Sequence, residues 1–239
     1  MQARGTGLPG TDKSRTLSSP KPLGVFVKPG AQAFARSLRS GYGLLILIGA
    51  DQLPGFAVRL PKAHAALAYA EQLHEGQHRP VDGAPFITHP LEVGMLLYEA
   101  GASDDVVAAG MLHDTLEKTD ATGYDIYARF GRGVGDIVCA VSHDPGIPGY
   151  ARRKAALRNQ VANAGEDALM VFAADKVSKV RELRLGDSSG TKVRGRKLRH
   201  YRLSLAMLQE RLPGSSLVAV LAAELDALSD AGEVSAHSH

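Results

Sequence analysis

The chain has 239 residues, 44% of them apolar, enough for one sizeable core. Its formal charge of +3 is uneven: the first 40 residues hold seven of the 28 Lys/Arg but one of the 25 Asp/Glu. The remainder is mildly acidic, which argues against nucleic-acid binding by the folded part. A single cysteine, Cys139, excludes an internal disulfide and a cysteine-rich zinc site. The longest apolar run, Leu44 to Ala50, is far below the ~20 residues that cross a bilayer. A reducing cytoplasm is the expected setting, with no membrane partner.

Residues 1–57 are rich in Gly, Pro, Ser and Arg, with turn signals at Pro9-Gly10, Ser19-Pro20 and Pro29-Gly30. They are expected to form a basic, largely disordered leader. Residues 58–232 then read as one helical domain, followed by a polar tail at 233–239. Ala66, Tyr69, Ala70 and Leu73 recur at helical spacing, and Pro90 sits where a first-turn proline belongs. Ser103 suits an N-cap, with Asp104 and Asp105 in the first turn behind it. Thr122 begins a short helix ending near Gly131, and Cys139 reads as small core filler on the next, about 133–142. Further helical patterns cover about 150–163, 167–184, 196–211 and 215–229. The stretch 186–199 is expected to be a loop carrying Lys192, Arg194, Arg196 and Lys197. No alternating strand pattern follows residue 60, so the expected fold is all-α, a multi-helix bundle.

Four residues carry the candidate chemistry: His89, the neighbours His113 and Asp114, and Asp175. Two imidazoles and two carboxylates suit a six-coordinate divalent ion such as Mn²⁺ or Fe²⁺ better than a structural zinc site. An ion so held makes a nucleophile of water near neutral pH, a means of attacking a phosphate ester. Adjacent residues on one helix point apart, so His113 and Asp114 must reach a shared ion from a helix end or a kink.

The sequence around these residues resembles the hydrolase domain of the RelA/SpoT family, within the HD phosphohydrolase superfamily. The resemblance runs through residues 70–79, 83–93 and 111–117, Phe130-Gly131, and residues 174–183, and covers about 58–230. It implies an HD-domain helical bundle that removes pyrophosphate from the 3′ position of guanosine tetra- and pentaphosphate, using Mn²⁺. It assigns His89, His113, Asp114 and Asp175 to the metal and Arg79 to the nucleotide, and it suggests a small, stand-alone alarmone hydrolase. Glu117 would orient or deprotonate the attacking water; it is four residues from His113 and so is expected to share its face.

Two positions depart from the family pattern. The usual Glu-Asp pair is Glu117-Lys118 here, and an Asn expected four residues after Asp175 is Lys179. Each lysine sits one turn beyond a candidate ligand carboxylate. They could turn outward, reach substrate phosphates, or act as internal counterions that displace the metal. The last case would leave a nucleotide-binding regulatory protein without turnover, the alternative to a hydrolase. Arg153 and Lys154, at a helix start, and Lys197 are further candidates for binding phosphate. His74 and His78 have metal-like spacing along one helix but are expected to be structural and solvent-facing, respectively.

Overall fold

The computed structural model describes residues 59–186 and 191–236. The expected leader, residues 187–190 and the end of the tail lie outside them. Within the described residues the chain is all-α: α1 Pro61–Leu73, α2 Thr88–Glu99, α3 Asp104–Leu112, α4 Thr115–Lys118, α5 Gly123–Val141, α6 Tyr150–Ala162, α7 Glu166–Arg184, α8 Thr191–Arg211 and α9 Ser216–Ala236.

Local signals set these boundaries. Ser103 accepts from the Val106 amide to cap α3, and Thr122 with Asp125 forms a reciprocal capping box on α5. The α1 N-terminus has no cap from its own chain segment. Instead the Asp104 carboxylate accepts from the Lys62 and Ala63 amides at 3.0 and 2.8 Å, so α3 caps α1. Gly131 breaks α5 with φ of 80°, a backbone angle that favours glycine, which separates the two expected helical patterns.

Helix α3 is the hub. Every residue from Val106 to Leu112 is buried, and α1 and α2 both pack on it. The α2–α3 seam is close because two glycines face it. A Cβ on Gly94 would collide with Met111, and one on Gly110 with Leu97, all in the fully buried core. Helix α7 runs behind, packed on α2 and α9. Arg181 ties the three together, reaching Glu92 at 3.0 Å and Glu224 at 2.8 Å.

Two expectations need correction. The basic stretch 186–199 is not a loop throughout: α8 starts at Thr191 and carries Lys197 and Arg196 on a helix. Lys, Arg and Leu are good helix formers, and a single Gly195 does not offset them. Cys139 is half-buried rather than core.

The glycine seam gives a first prediction. Gly110→Val should overpack α2 against α3 and destabilise the fold by about 1–3 kcal/mol, seen as a lower urea midpoint. An unchanged midpoint would show that the seam has slack.

Candidate metal centre

The close α2–α3 seam brings two histidines together, their rings nearly perpendicular. His89 lies in the first turn of α2, and His113 is the residue that ends α3. The chain breaks there, and Asp114 becomes the cap of α4. That break lets the neighbours His113 and Asp114 turn to one point. Asp175 arrives from the middle of α7.

The nitrogen Nε2 of His89 is 3.1 Å from Nε2 of His113. Asp175 Oδ1 lies 3.4 and 3.5 Å from these two atoms, and Asp114 Oδ2 lies 3.5 and 3.6 Å from them. Ligand atoms at right angles around an ion with ~2.1 Å bonds are ~3 Å apart, so the spacing fits a shared cation.

The hydrogen bonds behind the rings fix which nitrogens carry hydrogen. His113 Nδ1 meets the Gly110 carbonyl at 2.8 Å, and a carbonyl only accepts, so Nδ1 carries the hydrogen. His89 Nδ1 meets Ser178 Oγ at 2.8 Å. Ser178 spends its own hydrogen on Glu92 Oε2 at 2.6 Å, so it must accept from His89. In the neutral form of each ring, Nε2 is therefore a bare lone pair. Facing them are Asp114 Oδ2 and Asp175 Oδ1, both buried and without a hydrogen-bond donor. Four electron-rich atoms converge on one buried point, and only positive charge reconciles them.

Electrostatics distinguish the two rings. Burial pushes His89 down to about 3, helped by Lys179, so this ring stays neutral. Burial also disfavours charge on His113, but Asp114 and Asp175 outweigh it and raise that ring's affinity for a proton. For Asp114, burial favours the neutral acid, yet His113, Lys179 and Lys118 hold it ionised. Asp175 behaves alike: burial opposes its charge, and Lys176 foremost overrides this. Lys176 pairs with Oδ2 of Asp175, leaving Oδ1 turned to the histidines.

The two unexpected lysines do not occupy the cage. Lys118 Nζ stays 3.8 Å from Asp114 Oδ2, too far for a hydrogen bond, and lies 4.8 Å from the Phe86 ring centre. Lys179 Nζ lies 3.4 Å from Glu182 and 5.7 Å from the same ring. Both line a cleft of about 350 Å³ that also has Arg79, Lys197, Phe86 and Tyr201 on its walls. A smaller cavity of about 120 Å³ adjoins it and is bordered by His113, Asp114, Asp175, Glu117 and Lys154.

Other candidates fall into place or out of it. Arg79 is buried and bound to Asp82 through two nitrogens, so a partner already orients its guanidinium. Glu117 borders the smaller cavity, though not on His113's helix. Its Oε1 accepts from the His143 amide at 2.8 Å, and His143 Nδ1 lies 2.6 Å away without hydrogen-bond alignment. Arg153 turns back to the Ile147 carbonyl at 3.2 Å and borders neither space. His74 and His78 share no helix, because α1 stops at Leu73. His74 is buried, with Nδ1 2.9 Å from Gln77 Oε1, and His78 is exposed. Sequence reasoning missed the roles of Ser178, Glu92 and Lys176. Ser178 was in reach, since it lies one turn past Asp175.

Residues 66–187 match the HD domain family model. The chain is 36% identical over 121 residues to guanosine-3′,5′-bis(diphosphate) 3′-pyrophosphohydrolase MESH1 of Danio rerio and of Homo sapiens. Those alignments cover 48% and 49% of this chain, and 65% and 67% of the relatives. A guanosine-3′,5′-bis(diphosphate) 3′-pyrophosphohydrolase of Aquifex aeolicus is 32% identical over 120 residues, 49% of this chain and 17% of its own length. The chain thus spans about two thirds of the MESH1 proteins and a small part of the bacterial one. Among solved structures, a metazoan ortholog of SpoT described as hydrolysing ppGpp superposes with a TM-score of 0.60 at 25% identity, covering 69% of this chain and 94% of that one.

The relay behind His89 is testable by itself. Ser178→Ala should leave the fold intact and weaken Mn²⁺ binding about 10–100-fold, the usual cost of losing an outer-shell partner. Calorimetry giving the parent affinity would show that Ser178 does not set the ring.

Proposed function

The chain belongs to the HD domain family, among relatives of SpoT-type hydrolases, and from that premise we propose that it is a metal-dependent pyrophosphohydrolase. Its substrate is guanosine 3′,5′-bis(diphosphate) or a related nucleotide, cleaved at the 3′ diphosphate. One observation carries the reading: two imidazole Nε2 atoms 3.1 Å apart, flanked by buried carboxylate oxygens that have no donor. His89, His113, Asp114 and Asp175 would hold the cation. Two nitrogens and two hard oxygens suit Mn²⁺, with Fe²⁺ or another divalent ion as substitutes. Bound there, such an ion supplies a nucleophile from water and draws charge from a phosphoryl oxygen.

The chain's own residues do the rest. Lys179, Lys118 and Lys197 hold phosphate oxygens in the cleft, and Arg79, already oriented by Asp82, adds a planar donor. Phe86 and Tyr201 offer apolar faces to a base. Lys154 borders the inner cavity, where it meets the diphosphate. Glu117 takes up the proton lost by the attacking water, and His143 behind it fixes the carboxylate. The single, free cysteine suits the cytoplasm, where we place the chain.

One observation favours a second reading, a nucleotide-binding regulatory protein without turnover. Glu117 Oε1 is already engaged by the His143 amide, and a lysine follows it where the family pattern has an acid.

Purified protein with Mn²⁺ should release pyrophosphate from guanosine 3′,5′-bis(diphosphate), lose that activity in EDTA and regain it when Mn²⁺ is restored. Binding without release would favour the regulatory protein, and neither binding nor release would end both readings. Lys179→Met should raise KM about 10-fold or more, the loss of one charge-assisted contact, with a smaller change in kcat. An unchanged KM would turn Lys179 away from the substrate.

A further inference from the structure

His200, on α8, takes no part in the cation cage, yet its ring is buried and borders the inner cavity. The two ring nitrogens meet unlike surroundings. Nδ1 lies 2.8 Å from Arg158 Nη1. A guanidinium donates and never accepts, so Nδ1 must be the acceptor and carry no hydrogen. Ser204 does not alter this, because its hydroxyl donates to the His200 carbonyl at 2.9 Å. The ring's hydrogen therefore sits on Nε2.

That nitrogen is buried and has no hydrogen-bond partner among the described residues. A buried donor is costly unless a ligand or a water completes it. Burial, then the charges of Lys176, Lys154 and Arg158, holds the ring's pKa down to about 2. The ring stays neutral, and the hydrogen stays where Arg158 puts it. Lys154 borders the same cavity, and Lys176 does so with its ammonium paired to Asp175, so this wall presents a donor beside the positive charge of Lys154. A water would satisfy Nε2 but would bring no charge to offset the Lys154 ammonium. An oxyanion does both.

We propose that the Nε2 hydrogen of His200 is a fixed hydrogen-bond donor to an oxygen of the substrate's diphosphate group, with Arg158 as the positioning residue that keeps it on that nitrogen. The identity of the diphosphate rests on the hydrolase reading above; the donor and its direction rest on the ring's own contacts. His200 transfers no proton in this role. It orients the anion against the cage and stabilises charge that builds on oxygen.

Inorganic pyrophosphate, titrated calorimetrically into the full chain at saturating Mn²⁺, reads the donor without turnover. His200→Leu removes it, His200→Gln keeps an N–H group in reach, and Arg158→Met lets the hydrogen occupy either ring nitrogen. His200→Leu should weaken pyrophosphate binding about 10-fold or more, as for one lost hydrogen bond to a charged group. His200→Gln should stay within a small factor of the parent, and Arg158→Met should fall between the two. Mn²⁺ affinity should be unchanged throughout. Equal binding by the parent and His200→Leu, or equal losses in the Leu and Gln variants, would overturn the proposal. If His200→Leu fails to fold, Arg158→Met carries the test, and parent-like binding there overturns it. Pyrophosphate held through His200 by a chain that cleaves no nucleotide would sink the hydrolase reading and leave the donor standing. Turnover and pyrophosphate binding indifferent to His200→Leu would do the reverse.

Discussion

Two imidazole Nε2 atoms sit 3.1 Å apart in a buried place, with carboxylate oxygens completing the ring around them. Without a cation these atoms repel, and burial removes the water that would screen them. The protein holds them there anyway. His113 is locked by the Gly110 carbonyl, His89 by the Ser178–Glu92 relay, and Asp175 by Lys176 on its far oxygen. Each contact uses the atom that faces away and leaves bare the atom that faces in. A divalent ion held there would turn that repulsion into binding energy.

The bundle exists, in functional terms, to enforce that convergence. Glycines in the α2–α3 seam bring His89 and His113 within reach. Helix α7 carries Asp175, Ser178, Lys179 and Arg181 at spacings of three and four, so one side meets the cage and the cleft while Arg181 reaches Glu92 and Glu224. Glu92 stands at the crossing: one oxygen accepts from Ser178 and the other from Arg181. Orientation of a single imidazole is thus tied to the packing of three helices. Lys118 and Lys179 border both the inner cavity and the open cleft, with Lys154 on the former and Lys197 on the latter. Such a continuous run of positive charge suits a ligand with several phosphates.

Much of this was legible in the chain because the signals are local. Ser103, Thr122 and Gly131 mark helix ends by side-chain chemistry that needs no tertiary context. The four cage residues stood out because their types and setting suit a hard divalent ion. Less local features were hidden. Asp104 looked like a first-turn acid of its own helix, but it caps α1 across the fold. A spacing of four puts Glu117 on His113's face only along a continuous helix, and the break at Asp114 undoes that geometry. Lys192 to Lys197 read as a loop because glycine and charge cluster there, although most of those residues favour helix. The tautomers of His89 and His200 depend on partners 89 and 42 residues away, and no spacing rule announces them.

X-ray absorption at the manganese edge of the loaded full chain tests the cage most directly. The account predicts one ion per chain with two imidazole nitrogens in a mainly oxygen shell, and loss of an imidazole contribution in His89→Ala. An ion bound well below one per chain, or a shell with no imidazole scattering, would contradict it.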